Sequence, residues 1–278
     1  MIGKVDLKIN KVIQDQLNNL FEITTDDGYT IESVYYRGDT LCVSSQIGCP
    51  VKCTFCASGM KGLIRNLSFQ EIINQYLLIK EKGYNITNIA FAGIGEPLLN
   101  FEAVTEAFNF FKNEGLRVSF YTTGFPLKNF EKLLKFSHNG ITLSLHSVLE
   151  EKRKDLIPHG HTIKQLLELF ENHLKPLSNR QRKKYSLGYL LINNENDTEE
   201  EILELSKIAN KLKIGVSLLK FNEIQGIPFE TTPDEKYEEA FLKLRENGVR
   251  VTLSNSYRTR KIGGCGTLMI NRFESVGN

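Results

Sequence analysis

No apolar run in this sequence approaches the roughly 18 residues that a membrane-spanning helix needs. The opening residues, MIGKVDLKINKV, carry neither the basic region nor the apolar stretch of a signal peptide. There is no internal repeat and no low-complexity tract, so a repeat architecture is excluded. Charge of one sign is not in excess: 35 Lys and Arg against 33 Asp and Glu leave +2. That balance names no partner, although a local basic patch can still bind nucleic acid. Cysteine is scarce and its count of five is odd, which argues against a disulfide framework. These absences leave a cytosolic, monomeric chain as the expectation. Its 278 residues, 41% of them hydrophobic, are enough to bury a real core.

From about residue 39, strand-like and helix-like segments alternate. The sequence predicts strands at 40–46, 86–92, 116–122, 140–146, 185–192 and 214–221, each short and rich in β-branched or aromatic residues. Helix signals fall between them. Ser68 to Glu71 reads as a capping box, Thr198 to Glu201 repeats it, and Thr232-Pro233-Asp234-Glu235 adds a proline at the first helical position. Phe101, Val104, Phe108 and Phe111 recur at helical spacing. Further helices are expected near 128–136 and 162–174. Residues 1–38 read as a strand-turn-strand extension around Asp26-Asp27-Gly28, and VRVTLS at 249–254 as one more strand. Alternation of this kind argues for parallel strands with right-handed crossovers, in an open doubly wound sheet or a barrel. One detail favours the barrel. Thr142, Ser144 and His146 share one face of their strand, and Ile141, Leu143 and Leu145 the other. A polar face inside a ring of strands suits a lumen that holds a ligand. Cys42, Ser44 and Gln46 alternate in the same way on the first strand.

The informative stretch is Cys49-Pro50-Val51-Lys52-Cys53-Thr54-Phe55-Cys56, a C-x3-C-x2-C pattern directly after that strand. On a barrel it would sit at the C-terminal mouth, where active sites gather. Three thiolates hold three irons of a [4Fe–4S] cluster and leave the fourth iron open. An open iron beside a ligand cavity is what cleavage of S-adenosylmethionine (SAM) requires. Structural zinc is the weaker reading, because it takes four ligands and no fourth Cys or His lies nearby. Three core cysteines are the plainest one. Gly93-Ile94-Gly95-Glu96-Pro97 follows the second strand. It is not a dinucleotide fingerprint, since Leu98 stands where a third glycine belongs. Its glycines allow a close backbone approach to a ligand, and Glu96 can accept from the amino group of SAM.

With LCVSSQIGCPVKCTFC, GLIRNL, GIGEPLLN, SLHS, LLINNEND and GGCGTL, the chain resembles the Cfr/RlmN family of radical-SAM RNA adenine methyltransferases. The resemblance runs from about Glu32 to Leu268. It implies a six-stranded partial (β/α)6 TIM-like barrel, a [4Fe–4S] cluster on Cys49, Cys53 and Cys56, and methylation of carbon 2 or carbon 8 of an adenine in rRNA or tRNA. It implies three segments: an N-terminal β-hairpin extension at 1–38, the barrel at 39–254 and a C-terminal tail at 255–278. SAM contacts carry over to Gly95, Glu96, Ser144, Leu145, His146 and Asn222. Tyr121 stands where the family's S-T-S-G begins, so this chain departs there.

The same resemblance implies that two SAM molecules serve each turnover. One methylates Cys265. The second yields a deoxyadenosyl radical that takes a hydrogen atom from that S-methyl group. The carbon radical adds to the adenine, the adduct loses one electron and a ring proton, the proton to Glu32, and Cys42 attacks the sulfur to release product as a transient disulfide. Arg258, Arg260 and Lys261 beside Cys265 could lower its pKa. A flavodoxin- or ferredoxin-type donor supplies electrons. Arg180, Arg182, Lys183 and Lys184 form a second basic run suited to phosphates. A non-RNA substrate for the same chemistry, and a non-catalytic iron–sulfur or zinc protein, stay open as alternatives. The four remaining histidines, His138, His159, His161 and His173, are expected at the surface or at caps.

Overall fold

The computed structural model describes residues 7–15, 18–253, 264 and 266–269. The chain opens with β1 (Lys8–Gln14), β2 (Asn18–Thr24) and β3 (Thr30–Tyr36), then β4 (Thr40–Val43), β5 (Gln46–Gly48) and β6 (Leu63–Asn66). Helix α1 (Phe69–Glu81) leads to β7 (Asn88–Phe91), α2 (Phe101–Asn113) to β8 (Arg117–Thr122), and α3 (Leu127–Leu134) to β9 (Gly140–Ser144). Three helices, α4 (Glu150–Leu156), α5 (Ile163–Leu174) and α6 (Asn179–Arg182), precede β10 (Tyr185–Leu191). The last units are α7 (Glu199–Leu212), β11 (Gly215–Lys220), α8 (Asp234–Glu246) and β12 (Val251–Leu253).

Ten strands form one sheet in the order β1-β2-β3-β4-β7-β8-β9-β10-β11-β12, and β5 with β6 form a separate small hairpin. From β4 onward every neighbouring pair in the large sheet is parallel, while β1 to β4 are antiparallel. The parallel strands with intervening helices are what the alternation implied, and the partial barrel is what the resemblance implied. All six predicted barrel strands are present. The N-terminal extension has three strands where a hairpin was expected, because the exposed, polar stretch KINKVIQ pairs along β2 and carries little burial signal of its own.

The predicted strand 40–46 is interrupted, and the reason is local. After Val43 the backbone of Ser44 leaves the ladder and bonds to a side chain instead. Ser44 N–H donates to Gln75 Oε1 at 2.8 Å, and Gln75 Nε2 donates to Ser44 O at 2.9 Å. Ser33 Oγ adds a bond to the same Gln75 oxygen at 2.7 Å. Ser44 Oγ itself donates to Glu32 O and accepts from Ile94 N–H. All of these groups are buried, so the network must be satisfied internally. Ser44 is therefore a latch between strands and not a lumen residue, contrary to the simple period-2 reading.

The helix starts follow sequence chemistry with two exceptions. Ser68 with Glu71 makes a full capping box. Thr198 accepts from Glu201 N–H, but the Glu201 carboxylate turns inward to Ser147 Oγ and Tyr189 Oη instead of completing the box. Pro233 occupies the cap position of α8 and Thr232 makes no cap bond, reaching Asp197 instead. The core lies between the parallel strands and their helices. Val104, Phe108 and Phe111 of α2 are buried there, and Phe91 stacks on Phe120 at 4.9 Å. Full burial of one such ring contributes roughly 1.5–3 kcal/mol. Ile141, Leu143 and Leu145 are fully buried on the helix side of β9, as the alternation requires. Among the described residues, no helix is long and apolar enough to cross a membrane.

Candidate active site

A cavity of about 170 Å³ opens at the C-terminal ends of the parallel strands. Cys42 from β4, Gly93 after β7, Tyr121 from β8, and Ser144 and His146 from β9 line it together with Cys56. Cys42 stands in register with Ala90 of β7 and Val34 of β3. Ser144 and His146 therefore face the lumen, as their strand's alternation predicted. Gln46 does not. It is buried, with its amide donating to Asn66 Oδ1 and its oxygen accepting from Glu96 N–H.

The three-cysteine loop lies across the mouth. The β5–β6 hairpin closes its base, with Cys49 N–H donating to Gly62 O at 3.0 Å. Its floor is apolar: Val51, Phe55, Leu156, Ile157 and Leu190 pack beneath the three cysteines. Burial pushes the Cys49 thiol up to about 12, and the neighbouring Cys56 adds to the rise. Burial also raises Cys53, with Cys56 and Cys49 adding and Arg153 opposing. Cys56 thus raises both Cys49 and Cys53, and iron bound there would remove that penalty by displacing the protons. The residues fit a [4Fe–4S] cluster in donor chemistry: three thiols on one loop over a dry floor. Among the described residues, no three His, Cys, Asp or Glu side chains converge as ligands of a single ion. A cluster does not ask for that, since each thiolate binds its own iron.

The GIGEP turn behaves differently from the expectation. Gly95 has φ +106°, and a Cβ there would sit 2.7 Å from Gln46 Cβ. A Cβ on Gly93 would meet Val43 O at 2.6 Å. These glycines are thus required by the protein's own close packing, with Gly93 alone of the two also facing the cavity. Glu96 is 3% exposed and is not a cavity wall. Its carboxylate accepts from Thr122 Oγ1 (2.5 Å), Leu98 N–H (3.2 Å), and both Thr123 N–H and Oγ1 (2.8 Å each). Four donors fill the roughly four acceptor positions of a carboxylate. Burial still raises its pKa, against the lowering effect of those bonds. A SAM amino group could bond to Glu96 only by displacing one of them.

His146 is held at three points. Its Nδ1 accepts from Leu190 N–H at 3.0 Å, its ring meets Phe55 edge-on at 5.0 Å, and Asn196 Nδ2 donates to its carbonyl. Its φ of +59° is a conformation that non-glycine residues adopt rarely and only when held. With Nδ1 accepting, the neutral ring carries its proton on Nε2. Burial and then Arg153 push its pKa down to about 3, so it stays neutral. Leu145 turns its side chain into the core and donates its N–H to Gly188. Asn222 is buried just past β11. The motif NEND thus works through Asn196, which also bonds Leu190 O and Ile192 N–H. Asn196, Phe55, Ser58 and Arg153 are the neighbours that the sequence reading missed; Asn196 and Phe55 lay within quoted motifs, Ser58 and Arg153 outside them.

The tail meets the cysteine loop. Gly264 and Gly266 line the cavity, Ala57 N–H donates to Gly266 O, and Ser58 Oγ donates to Leu268 O at 2.7 Å. Glu32 is buried, and its Oε2 accepts from Met269 N–H at 2.9 Å. Cys265, with Arg258, Arg260 and Lys261, lies outside the described residues. In the other basic run Arg180, Lys183 and Lys184 are exposed, and Arg182 is half-buried. Arg182 donates to the carbonyls of Leu177, Leu212 and Lys175, just before β10 begins and so at the opposite end from the cavity. His138 is also buried, not at the surface, and bonds to Tyr185 Oη.

Residues 43–206 match the Radical SAM superfamily. The probable dual-specificity RNA methyltransferase RlmN of Pseudothermotoga lettingae is 35% identical over 78% of this chain and 67% of its own. The protein of the same name from Dictyoglomus thermophilum is 33% identical over 97% of this chain and 81% of its own. The chain belongs to the RlmN/Cfr family of the radical SAM superfamily. A radical SAM methyltransferase from Sphaerobacter thermophilus has the same fold, with a TM-score of 0.86 at 27% identity over 95% of this chain and 81% of that one. SAM and a [4Fe–4S] cluster are the cofactors of this family, and the cavity beside the cysteine loop is where this member would hold them.

Proposed function

We propose that the protein methylates a ring carbon, carbon 2 or carbon 8, of an adenine in RNA. Radical-SAM RNA methylation rests on family membership; the residue roles are read from the cavity. One observation carries them. Cys42, the cluster-loop Cys56, Ser144, His146 and the two glycines on either side of position 265 all line a single cavity.

Cys49, Cys53 and Cys56 hold the cluster, which together with SAM supplies one-electron cleavage of a sulfonium bond. Ser144 and the Nε2–H of His146 present hydrogen-bond donors to SAM, and Tyr121 brings a phenol to the same wall. Gly95, Glu96, Leu145 and Asn222 shape the turn and strand ends around them. Cys265 carries the methyl group. The tail reaches the cavity because Ala57, Ser58 and Glu32 hold Gly266, Leu268 and Met269. Cys42 stands across the lumen as the thiol that releases product by attacking the Cys265 sulfur. Glu32 takes the ring proton, exchanging its bond to Met269 for one to the substrate. The strands exclude water from the reacting groups. A flavodoxin- or ferredoxin-class donor supplies electrons. Residues 1–38 act as an extension of the barrel sheet, 39–254 as the barrel, and 255–278 as the tail.

Nucleoside mass spectrometry of rRNA and tRNA from a deletion strain tests this. One adenine should lose the mass of a methylene, and plasmid-borne protein should restore it. Identical RNA in both strains would contradict an RNA substrate.

A further inference from the structure

Arg153 is the largest side chain among the described residues that is essentially fully buried, at 2% exposure. It sits on α4, and the cysteine loop is docked on that helix's last turn: Thr54 N–H donates to Leu156 O at 3.0 Å, and Thr54 Oγ1 also reaches Asp155 O. One end of the guanidinium is held. Nη2 donates to Thr123 O at 3.2 Å and to Ser144 O at 3.3 Å, the ends of two barrel strands. Nε and Nη1 have no hydrogen-bond partner. Among the described residues Arg153 makes no ion pair. Glu150, whose field reaches it, already bonds the N–H groups of Ile163 and Lys164. A buried cation so incompletely matched is costly, and native proteins compensate such a charge with an anion. Burial pushes Arg153 down to about 10, so it remains charged at neutral pH, and its field reaches Cys53.

We propose that Arg153 is a positioning residue for the iron–sulfur cluster, its buried charge offsetting the negative charge of iron and sulfide held by three thiolates. The proposal rests on the assignment of Cys49, Cys53 and Cys56 as cluster ligands. Each electron delivered by a flavodoxin- or ferredoxin-class donor adds one negative charge to the cluster and changes no bond at Arg153. A fixed cation nearby favours the reduced form over the oxidised one. Arg153 therefore keeps the cluster reducible, and its two strand-end carbonyls fix where that charge stands.

The test uses the full chain, reconstituted anaerobically, with Arg153→Met and Arg153→Lys. Iron and sulfide content and the midpoint potential are measured by EPR-monitored titration with dithionite, and SAM affinity alongside. Arg153→Met should shift the potential negative and leave several-fold less reduced cluster at a fixed dithionite potential, while Arg153→Lys stays near the native value. An unchanged potential in Arg153→Met would overturn the proposal. So would an unchanged potential with lost SAM affinity, which assigns the unpartnered N–H groups to the SAM carboxylate. If Arg153→Met does not fold, Arg153→Lys decides: a folded, cluster-loaded protein of near-native potential supports the charge role, and a folded protein without cluster overturns it. Cys53→Ala separates the two levels. Iron retained there defeats the ligand assignment itself, whatever Arg153 does.

Discussion

The two ends of the parallel strands bury the same kinds of residue for opposite purposes. At the N-terminal end, Tyr185 Oη sits between His138 Nε2 at 3.1 Å and His173 Nε2 at 2.8 Å, with Phe170 edge-on to the ring at 5.7 Å. At the C-terminal end, His146 is equally buried, but its backbone is left-handed and the residue belongs to a cavity wall. The bottom groups are turned on one another. The mouth holds a strained histidine, an incompletely bonded arginine and three crowded thiols, two of them, Cys49 and Cys53, with raised pKa. Stability resides at the closed end of such barrels and chemistry at the open end. Polar groups that are poorly matched in the protein alone are concentrated where a cofactor and a substrate enter.

The largest test of this contrast is Cys53→Ala, which should remove most of the iron and sulfide after anaerobic reconstitution while leaving the far-UV circular dichroism unchanged. Retained iron, or zinc as the sole metal, would break the contrast at its centre. Next is Asn196→Ala. It leaves the His146 and Leu190 carbonyls and the Ile192 N–H without their buried partner, so unfolding free energy should fall by about 3 kcal/mol in urea titration. SAM affinity should weaken with it. Tyr185→Phe at the bottom should lower stability by about 1 kcal/mol and leave iron content and SAM affinity at native values. A loss of SAM affinity there would erase the distinction between the ends.

The smallest effect is on pH. Burial first, and then Lys184 and His173, push His138 down to about 4 from the usual 6.5. The folded protein then binds fewer protons than the unfolded chain between those values. Stability should be full above about pH 6.5 and fall as pH drops toward 4. His138→Gln should flatten part of that fall, measured by urea unfolding at pH 7 and pH 5.

The barrel was legible because its strands are short, apolar-faced and separated by capped helices. The alternation in 140–146 even assigned Ser144 and His146 to the lumen correctly. The same alternation failed at the first barrel strand. Nothing local marks Ser44 as the point where the chain leaves the sheet, since its partner Gln75 lies 31 residues away. Arg153 was hidden by its surroundings. Glu150-Glu151-Lys152-Arg153-Lys154-Asp155 reads as a solvated charge run, and only the fold turns Arg153 inward, to the carbonyls of Thr123 and Ser144. Arg182 shows the reverse: a residue in a basic run that looks exposed but is held by three carbonyls. Glu96 was placed at the right turn, yet the sequence does not reveal that Thr122 and Thr123 already fill its oxygens.

The central claim is that the cavity at the mouth joins Cys42 and Cys265 in one reaction, and Cys42→Ala tests it most directly. The substitution removes only a sulfur from a half-buried position and leaves the three cluster cysteines untouched, so folding and SAM cleavage should survive. Reacted anaerobically with RNA, the variant should complete one addition and stall. Nuclease digestion and mass spectrometry of the Cys265 peptide should then show a single attached nucleotide, which also identifies the substrate. Full turnover by Cys42→Ala, with no adduct on that peptide, would contradict the account.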